Sequence, residues 1–283
     1  MIRIFPLIFI LLWSSAFITT KPIVDNSDPF AALAFRFFFV AIGFYVFCII
    51  SKNSVIIKRK SFVQSFLSGV LFHGVYLGGV FYSISIGMPT SLAALIVTLQ
   101  PILTNALSGP ILNEKVSKKQ WAGVFLGFGG ASIVLGLDIG SDIPFLGFIA
   151  TIIALIAITT STIWQKKLSN NLPLSVSNFY QAIGGCVFHT VIIIFFVDPF
   201  IHFSKTFLIA ISHQILLVSF GAFTILMFLI KKNSASKTVS VFFLIPPTSA
   251  FMAWFFLNET LTTLDILGFF IASVGVYLAT RNE

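Results

Sequence analysis

The stretch 99–130 reads LQPILTNALSGPILNEKVSKKQWAGVFLGFGG, and it returns at 244–275 as LIPPTSAFMAWFFLNETLTTLDILGFFIASVG. A single shift of about 145 residues, without a gap, places Pro101 on Pro246 and also aligns an Asn-Glu pair and two glycines. Because the shift is roughly half of the 283 residues, the pattern predicts one duplicated unit rather than a solenoid of short repeats. We expect the first unit over 1–140 and the second over 141–283.

The composition predicts that the chain lies in a lipid bilayer. Hydrophobic residues make up 57% and charged residues 9%, and the mean hydropathy is +1.03, whereas a soluble domain carries roughly 25% charged residues. The formal net charge of +8 does not indicate a nucleic-acid partner, because the basic residues occupy short gaps and form no groove-binding cluster. Cys48 and Cys186 lie in apolar segments, and no CxxC, HExxH or spaced His/Cys motif predicts a metal or another cofactor.

The lengths of the apolar segments predict an all-α integral membrane protein with ten transmembrane helices, since a spanning helix needs about 20 mostly apolar residues. The predicted segments are 4–20, 30–50, 63–87, 91–112, 120–137, 144–165, 175–197, 207–230, 239–257 and 262–280. The first segment also resembles a cleavable signal peptide. The duplication favours a retained helix, because the same shift places Ser14-Ser15 on Thr159-Thr160, deep in the chain.

The distribution of basic residues predicts the orientation of the chain, because Lys and Arg favour cytoplasmic gaps. With a cytoplasmic N-terminus, that side holds fourteen of them: Arg3, Lys52, Lys58, Arg59, Lys60, Lys115, Lys118, Lys119, Lys166, Lys167, Lys231, Lys232, Lys237 and Arg281. The opposite side holds Lys21 and Lys205, and Arg36 lies within a segment, which accounts for all 17. We therefore expect a multi-pass protein of the inner membrane with both termini cytoplasmic.

Because each unit has five helices, an odd number, the second unit must enter the membrane from the opposite face. The sequence thus predicts two inverted five-helix repeats, the design of many secondary carriers, with a substrate site near the membrane midplane where the repeats meet. An oligomeric state does not follow from the sequence, and a monomer and a homodimer both remain open.

Two long runs resemble the EamA repeat of the drug/metabolite transporter superfamily. They are FYSISIGMPTSLAALIVTLQPILTNALSGPILNEKVSKKQWAGVFLGFGGASIVLG at 81–136 and KKNSASKTVSVFFLIPPTSAFMAWFFLNETLTTLDILGFFIASVGVYLATR at 231–281. The shared features are a small-residue turn, a central proline, a corner glutamate and a glycine-rich closing helix. The resemblance implies a ten-helix exporter of metabolites or amino acids. It also implies a central cavity lined by the first, third, fourth, sixth, eighth and ninth helices, with the fifth and tenth helices peripheral.

The prolines are the first candidates for a functional site. Inside a helix, proline removes an amide donor and clashes with the carbonyl four residues back, at a cost of about 3 kcal/mol. The freed carbonyls near Pro101 and Pro246 need partners, so we expect the broken turns to face protein or a watery cavity. A hinge that lines the cargo site and a bend tolerated for packing are both open.

Polar and aromatic side chains within the segments complete the predicted substrate site, which comprises Trp13, Ser14, Ser15, His73, Tyr76, Gln100, Pro101, Thr160, Trp164 and Pro246. The serines and Thr160 lie near tryptophans in the first helix of each repeat, although such hydroxyls often bond to their own backbone. Gln100 is a full amide at the expected midplane, where a lipid-facing position would be costly. His73 and Tyr76 are three residues apart and share a helix face, and His73 is the best titrating candidate in the interior.

Three other features have structural interpretations that we favour. For Arg36, we expect snorkelling or a bond to Asp28 or to a helix-end carbonyl, although an intramembrane charge is by default a functional candidate. Glu114 and Glu259 would stabilise the dipole of the following helix, and a gate is the alternative. The small residues on the closing helices, Gly123, Gly127, Gly268 and Ala272, would seat each closing helix against its own repeat, with a dimer interface as the alternative.

The predicted function is secondary transport of a small polar metabolite, with export favoured by the resemblance. No Asp or Glu lies in the middle of a segment, which disfavours an antiporter that binds cations and protons in turn and favours a neutral or zwitterionic cargo. The alternatives are an importer of a vitamin, a nucleoside derivative or S-adenosylmethionine, an intramembrane lipid-modifying enzyme, and a channel. We predict no enzyme and no catalytic residue, because the short gaps hold no cluster of acid/base or metal-ligand residues.

Overall fold

The computed structural model describes residues 4–88, 90–135, 143–168, 172–257 and 262–280. Within these ranges the regular elements are helices, and an isolated antiparallel bridge joins Ser27 to Ile201. The helices are α1 Phe5–Val24, α2 Pro29–Ile50, α3 Arg59–Ser85, α4 Thr90–Val97, α5 Gln100–Leu112, α6 Lys118–Leu135, α7 Phe145–Leu168, α8 Leu174–Phe196, α9 Lys205–Lys232, α10 Ala235–Ser240, α11 Ile245–Leu257 and α12 Thr263–Thr280. Residues Val241–Leu244 form a 3₁₀ turn between α10 and α11.

Eight stretches of the described residues are helical, long and apolar enough to cross a membrane. They are α1, α2, α3, the continuous stretch Leu92–Leu112 through α4 and α5, α7, α8, α9 and α12. The predicted segments 120–137 and 239–257 correspond to α6 and to the run from α10 to α11, which are helical but fall outside this group. The chain is a multi-pass membrane protein, and its predicted all-α class is confirmed.

The outer surface of the helices is apolar. At the end of α8, for example, Ile194, Phe195 and Phe196 are 67%, 71% and 76% exposed. A monomeric protein in water rarely exposes an apolar surface of this extent, whereas the lipid chains of a membrane can cover it. The core lies between the helices and contains fully buried aromatic side chains such as Phe9 and Phe37.

The helices repeat with the spacing that the sequence predicts. Helices α5 and α11 begin at Gln100 and Ile245, and α6 and α12 begin at Lys118 and Thr263, so that both pairs are 145 residues apart. Even an uncommon local feature recurs, because α3 contains π-helical turns at Val70–Tyr76 and α9 contains them at Gln214–Ala222.

The equivalent helices α6 and α12 pack directly against each other and run antiparallel. A Cβ atom added to Gly123 would lie 2.5 Å from the Ala279 nitrogen, and one added to Gly130 would lie 2.3 Å from the Ala272 nitrogen. Residues later in α6 therefore contact residues earlier in α12, which makes the two helices antiparallel. The expectation that Gly123, Gly127, Gly268 and Ala272 seat each closing helix against its own repeat is wrong, because a Cβ atom on any of these three glycines would meet atoms of the other repeat.

Helices α2 and α8, which are also equivalent, pack in the same antiparallel manner. The rings of Phe30 and His189 are 6.0 Å apart at one end of the pair. At the other end, Asn53 Nδ2, just beyond α2, donates a hydrogen bond of 3.0 Å to Ser175 Oγ in the first turn of α8. In two pairs of equivalent helices, the partners thus pack against each other and run in opposite directions.

Candidate functional site

A central cavity of about 720 Å³ lies among α1, α3, α4, α9 and α11, with a contribution from α6. Pockets for small ligands are commonly 300–1,000 Å³ in volume and mostly apolar. The lining combines aromatic and aliphatic side chains with a few hydroxyls: Trp13, Phe17, Ile18, Tyr76, Val97, Phe242, Ile245, Pro246, Thr19, Thr98, Thr206 and Ser249 are among its residues. We call this space the central cavity.

The central cavity reaches one end of the helices. Lys21 and Pro22 in the last turns of α1 and Thr206 in the first turn of α9 belong to its lining. At the opposite end, polar contacts link the two halves of the chain, since Ser236 Oγ donates a hydrogen bond to Asn105 Oδ1. The cavity is therefore asymmetric along the helix axes.

A glutamate also closes this opposite end. Glu114 follows α5, and its carboxylate oxygens accept hydrogen bonds from the backbone nitrogens of Ala235 at 2.9 Å and Ser236 at 3.4 Å. These nitrogens begin α10, where a helix has unpaired N–H groups and a positive dipole end. Glu114 thus stabilises a helix terminus, but the helix belongs to the other half of the chain and not to its own.

The helix breaks that the prolines predict occur, and both border the central cavity. Helix α4 ends at Val97 and α5 begins at Gln100, with Pro101 in its first turn; in the second copy the 3₁₀ turn precedes Pro246 in α11. Val97 and Pro246 line the cavity, whereas Pro101 is buried elsewhere. The start of α11 also contacts α1, because Ser14 Oγ donates to the carbonyl of Ile245, the residue before Pro246, at 3.2 Å.

The two serines of α1 bind neighbouring helices. Ser14 is fully buried, and its carbonyl accepts a bond of 2.9 Å from Ser249 Oγ on α11. Ser15 Oγ donates to the carbonyl of Leu12 at 2.8 Å and lies 3.1 Å from His213 Nε2 on α9. Both serines stand next to Trp13 but are not part of the cavity lining.

Three predicted site residues lie outside the cavity lining: Gln100 begins α5, and Thr160 and Trp164 lie on α7. Gln100 is fully buried and its Nε2 donates to Thr162 Oγ1 at 3.0 Å. Gln100 Oε1 and Trp164 Nε1 are buried and make no hydrogen bond within the described part of the chain. Thr160 is exposed on the opposite face of α7. In this structure Gln100 links α5 to α7, and none of the three residues borders the cavity.

Trp13 is the predicted site residue with the most central position. Its ring lies 5.3 Å from Phe9, 5.9 Å from Phe242 and 6.1 Å from Phe72. This aromatic cluster joins α1, the 3₁₀ turn and α3 at the wall of the cavity. Together with Tyr76, Trp13 also lines a second and smaller space of about 40 Å³.

That smaller space, here called the Arg36 pocket, contains a buried arginine with polar partners. Arg36 is only 4% exposed; its Nε donates to Ser219 Oγ at 2.9 Å and its Nη1 donates to Gln214 Oε1. Gln214 Nε2 faces the carbonyl of Ala16 and the hydroxyls of Thr19 and Thr20 at 3.2 Å each. Arg36 therefore connects α2 to the π-helical turns of α9.

The sequence did not identify this pocket. The expected partner Asp28 instead caps α2, where its Oδ1 accepts from the nitrogen of Ala31 at 2.8 Å. Gln214 and Ser219, which bind Arg36, were not among the candidates at all. The available signal was a charge inside an apolar segment, which is a functional candidate by default. π-helical turns, which are frequent at functional sites, cannot be recognised from sequence periodicity.

His73 also lines the Arg36 pocket, on the π-helical turns of α3. Its ring lies between the rings of Phe37 at 4.5 Å and Phe223 at 4.4 Å, and its carbonyl is bonded by His189 Nε2 at 2.9 Å. The structure thus brings His73, Tyr76 and Trp13 together. Within the described ranges no three His, Cys, Asp or Glu side chains gather where they could hold a metal ion.

Comparisons with known proteins agree with this architecture. The model of the EamA-like transporter family matches the chain twice, at residues 2–136 and 145–281. A probable amino-acid metabolite efflux pump of Escherichia coli (strain K12) is 20% identical, covering 96% of this chain and 92% of the relative, and its namesake in Salmonella typhimurium is 23% identical with the same coverage. An uncharacterised transporter of Bacillus subtilis (strain 168) is 25% identical over 78% of this chain and 71% of its own. A solved crystal structure matches with a TM-score of 0.83 at 17% identity, covering 99% of this chain and 96% of that one.

Proposed function

Because the chain belongs to the EamA-like transporter family, we propose that it is a secondary transporter that exports a small polar metabolite, such as an amino acid, by alternating access. The observation that carries the proposal is the central cavity, which lies at two helix breaks and reaches one end of the helices only. Cargo sites of carriers with repeated halves are typically formed by discontinuous helices near the repeat interface. The predicted absence of an enzymatic activity is part of this proposal.

The proposed architecture is two inverted repeats of five crossings each, divided near residue 140. The antiparallel packing of α6 on α12 and of α2 on α8 supports this arrangement, because equivalent helices of inverted repeats run in opposite directions. Helix α6 and the run from α10 to α11 would be the two further crossings beside the eight apolar stretches, the fifth and the ninth in chain order. The basic residues favour an inner-membrane protein with both termini cytoplasmic.

In that orientation the central cavity opens outward, and the contact of Glu114 with the start of α10 closes the cytoplasmic side. The duplication places Glu259 and Thr90 at the positions equivalent to Glu114 and Ala235. Glu259 lies outside the described residues, and the duplication alone leads us to expect that it closes the outer side in the inward-facing state, while the Glu114 contact opens. The two glutamates would then act as alternate gates.

The cargo that we propose is neutral or zwitterionic. Two relatives are named as probable amino-acid metabolite efflux pumps, and the cavity combines apolar walls with hydroxyls that suit an amino acid. Movement can occur by exchange, by facilitated diffusion, or coupled to protons through His73. Pro246, Trp13 and Tyr76 are the residues proposed to contact cargo in the outward-open state, and Ser14 and Gln100 would hold the broken helices in position.

The proposal is tested with purified full-length protein in proteoliposomes. A panel of radiolabelled amino acids and other small metabolites is offered outside, with the same unlabelled compound inside or absent. We expect saturable uptake that increases with unlabelled compound on the opposite side, since a carrier returns faster when loaded. Protein-free liposomes are the control. Linear flux without saturation would contradict the carrier, and conversion of a lipid would indicate an enzyme.

A further inference from the structure

We propose that the Arg36 pocket binds the carboxylate of the transported molecule, so that the cargo is a monocarboxylic acid, with amino acids included in this class. This inference rests on the proposed transport function and specifies its substrate. The pocket and the central cavity share Trp13, Phe17 and Tyr76 as lining residues. A molecule in the cavity can therefore extend its acidic end towards Arg36.

The first argument is the charge of Arg36. Arg36 is only 4% exposed; its guanidinium donates to two neutral side chains and forms no salt bridge among the described residues. Arginine stays charged in proteins and offers five N–H donors in a planar fork that matches a carboxylate. Its hydrogen bonds use Nε and Nη1, and within the described part of the chain Nη2 has no acceptor. A buried charge without an opposite charge is costly, and an anionic ligand would supply one.

The second argument comes from the other copy of the repeat. The position equivalent to Arg36 is Gln181, and the positions equivalent to Gln214 and Ser219 are Gly69 and Gly74. Gln181 is likewise buried, and a Cβ atom on Gly69 would lie 2.1 Å from the backbone carbonyl oxygen of Gln181. The fold thus accommodates a neutral amide at this place. Of these two equivalent places between the repeats, the one that adjoins the central cavity holds the arginine and its two polar partners, so helix packing alone does not require the charge.

The third argument is the size and lining of the pocket. Its volume of about 40 Å³ suits a group of a few heavy atoms, since one water needs roughly 10–15 Å³ by this kind of measure. A single guanidinium balances one negative charge and not the higher charge of phosphate near neutral pH. The aromatic rings of Trp13 and Phe17 at the junction favour an apolar body next to the carboxylate, and an ammonium group can lie over the face of Trp13.

The test measures binding rather than transport. Full-length protein in lipid nanodiscs is titrated with L-phenylalanine and L-leucine, and in parallel with their methyl esters, amides and parent amines, while thermal unfolding is recorded. Inorganic phosphate and chloride are further probes. We expect the acids to stabilise the protein in a saturable manner and each ester, amide and amine to bind at least about tenfold more weakly, because it lacks the charge that pairs with arginine.

The matched variants are Arg36→Gln, which introduces the residue of the other copy, and Gln181→Asn as the control at the equivalent position. Arg36→Gln should weaken binding of the acids about tenfold or more and abolish the difference between acid and ester, whereas Gln181→Asn should change neither. If Arg36→Gln does not fold, the comparison of acid and ester on the parent protein still decides.

Equal binding of acid and ester, unchanged binding by Arg36→Gln, stronger binding of phosphate or chloride than of any carboxylate, or no binding of any carboxylate would each overturn the inference. Counterflow separates this outcome from failure of the transport proposal. Exchange of esters, amines or neutral metabolites without exchange of acids would leave the carrier intact and remove the carboxylate site. Acid-selective binding without any saturable flux would support the carboxylate site and contradict the transport function.

Discussion

At the residue scale, Trp13 joins the central cavity to the Arg36 pocket because it lines both. Its neighbours, among them Phe242 and Phe72, belong to other helices, so the ring forms a wall of the cavity rather than a lipid-facing anchor. A large aromatic ring in this place can bind the apolar part of a cargo and also determine the shape of the space that holds it.

We therefore predict that Trp13→Ala lowers the ratio kcat/KM for uptake by about tenfold or more, since burial of an aromatic ring is worth a few kcal/mol. The measurement is counterflow in proteoliposomes, normalised to the amount of folded protein. Trp254→Ala is the matched control, because Trp254 is 43% exposed on α11 and its ring lies beside the exposed rings of Phe251 and Phe255. Normal uptake by Trp13→Ala would remove this residue from the cargo site.

Ser14 and Gln100 illustrate a different role at the same scale. Ser14 on α1 binds the carbonyl of Ile245 at the start of α11, and Gln100 at the start of α5 binds Thr162 on α7. Each bond ties a broken helix to the first helix of the other copy. In this structure the two residues position the helix breaks, and a direct contact with cargo stays a prediction.

At the scale of elements, the contact between Glu114 and α10 is the one most suited to a gate. A short helix begins at Ala235 and needs partners for its first N–H groups, and the glutamate from the opposite half supplies them. Such charge-assisted bonds contribute about 1.5–3 kcal/mol each when they form. A change of conformation that separates α5 from α10 must break both.

We predict that Glu114→Ala shifts the population towards the state that is open near α10. The equilibrium constant between the two states should change about tenfold for each 1.4 kcal/mol of contact free energy that is lost. The measurement uses Val97→Cys in the cavity wall, in a background without the native cysteines, and the rate of its reaction with an impermeant maleimide from each side. Reaction from the α10 side should accelerate. Asp265→Ala is the control, because Asp265 caps α12 within its own turn. Equal rates in both variants would contradict a gate.

The packing of α6 on α12 makes a second prediction at this scale. A Cβ on Gly130 would lie 2.3 Å from the Ala272 nitrogen, whereas Gly129 has nothing within 4 Å of such an atom. Gly130→Ala should therefore lower the free energy of unfolding by roughly 1–3 kcal/mol through overpacking, and Gly129→Ala should not. Thermal unfolding of the purified variants measures both. A stable Gly130→Ala protein would exclude the close contact of the two backbones.

At the scale of the whole molecule, the orientation of the chain decides which end of the central cavity faces the cytoplasm. In a background without the native cysteines, Lys21→Cys should react with an impermeant maleimide on intact cells, because Lys21 borders the open end and is exposed. Lys58→Cys, in the exposed gap before α3, should react only after the membrane is permeabilised. The opposite pattern would reverse the orientation and with it the outward-open assignment.

Most of the fold could be predicted because its signals are local. Apolar segments of spanning length predict helices in lipid, and a proline without an amide donor predicts where a helix breaks. The site was less predictable. Gln214 and Arg36 are 178 residues apart in the chain, so that no spacing rule joins them. A helix that is apolar on all sides also gives no periodic signal for the direction of a polar side chain. The sequence therefore could not predict that Gln100 is buried and Thr160 is exposed.

The amino-acid sequence by itself determined that this protein is a duplicated helical membrane protein with broken helices at equivalent places. The duplication, the lengths of the apolar segments and the positions of the prolines are all properties of the order of residues along the chain. The tertiary structure alone decided that the closing helices meet each other across the repeats and that Glu114 caps a helix of the other half. It also brought Arg36 to Gln214 and Ser219 beside the central cavity. Contacts between residues far apart in the chain depend on how the helices pack, and packing is decided by close backbone approach and buried polar partners rather than by local pattern.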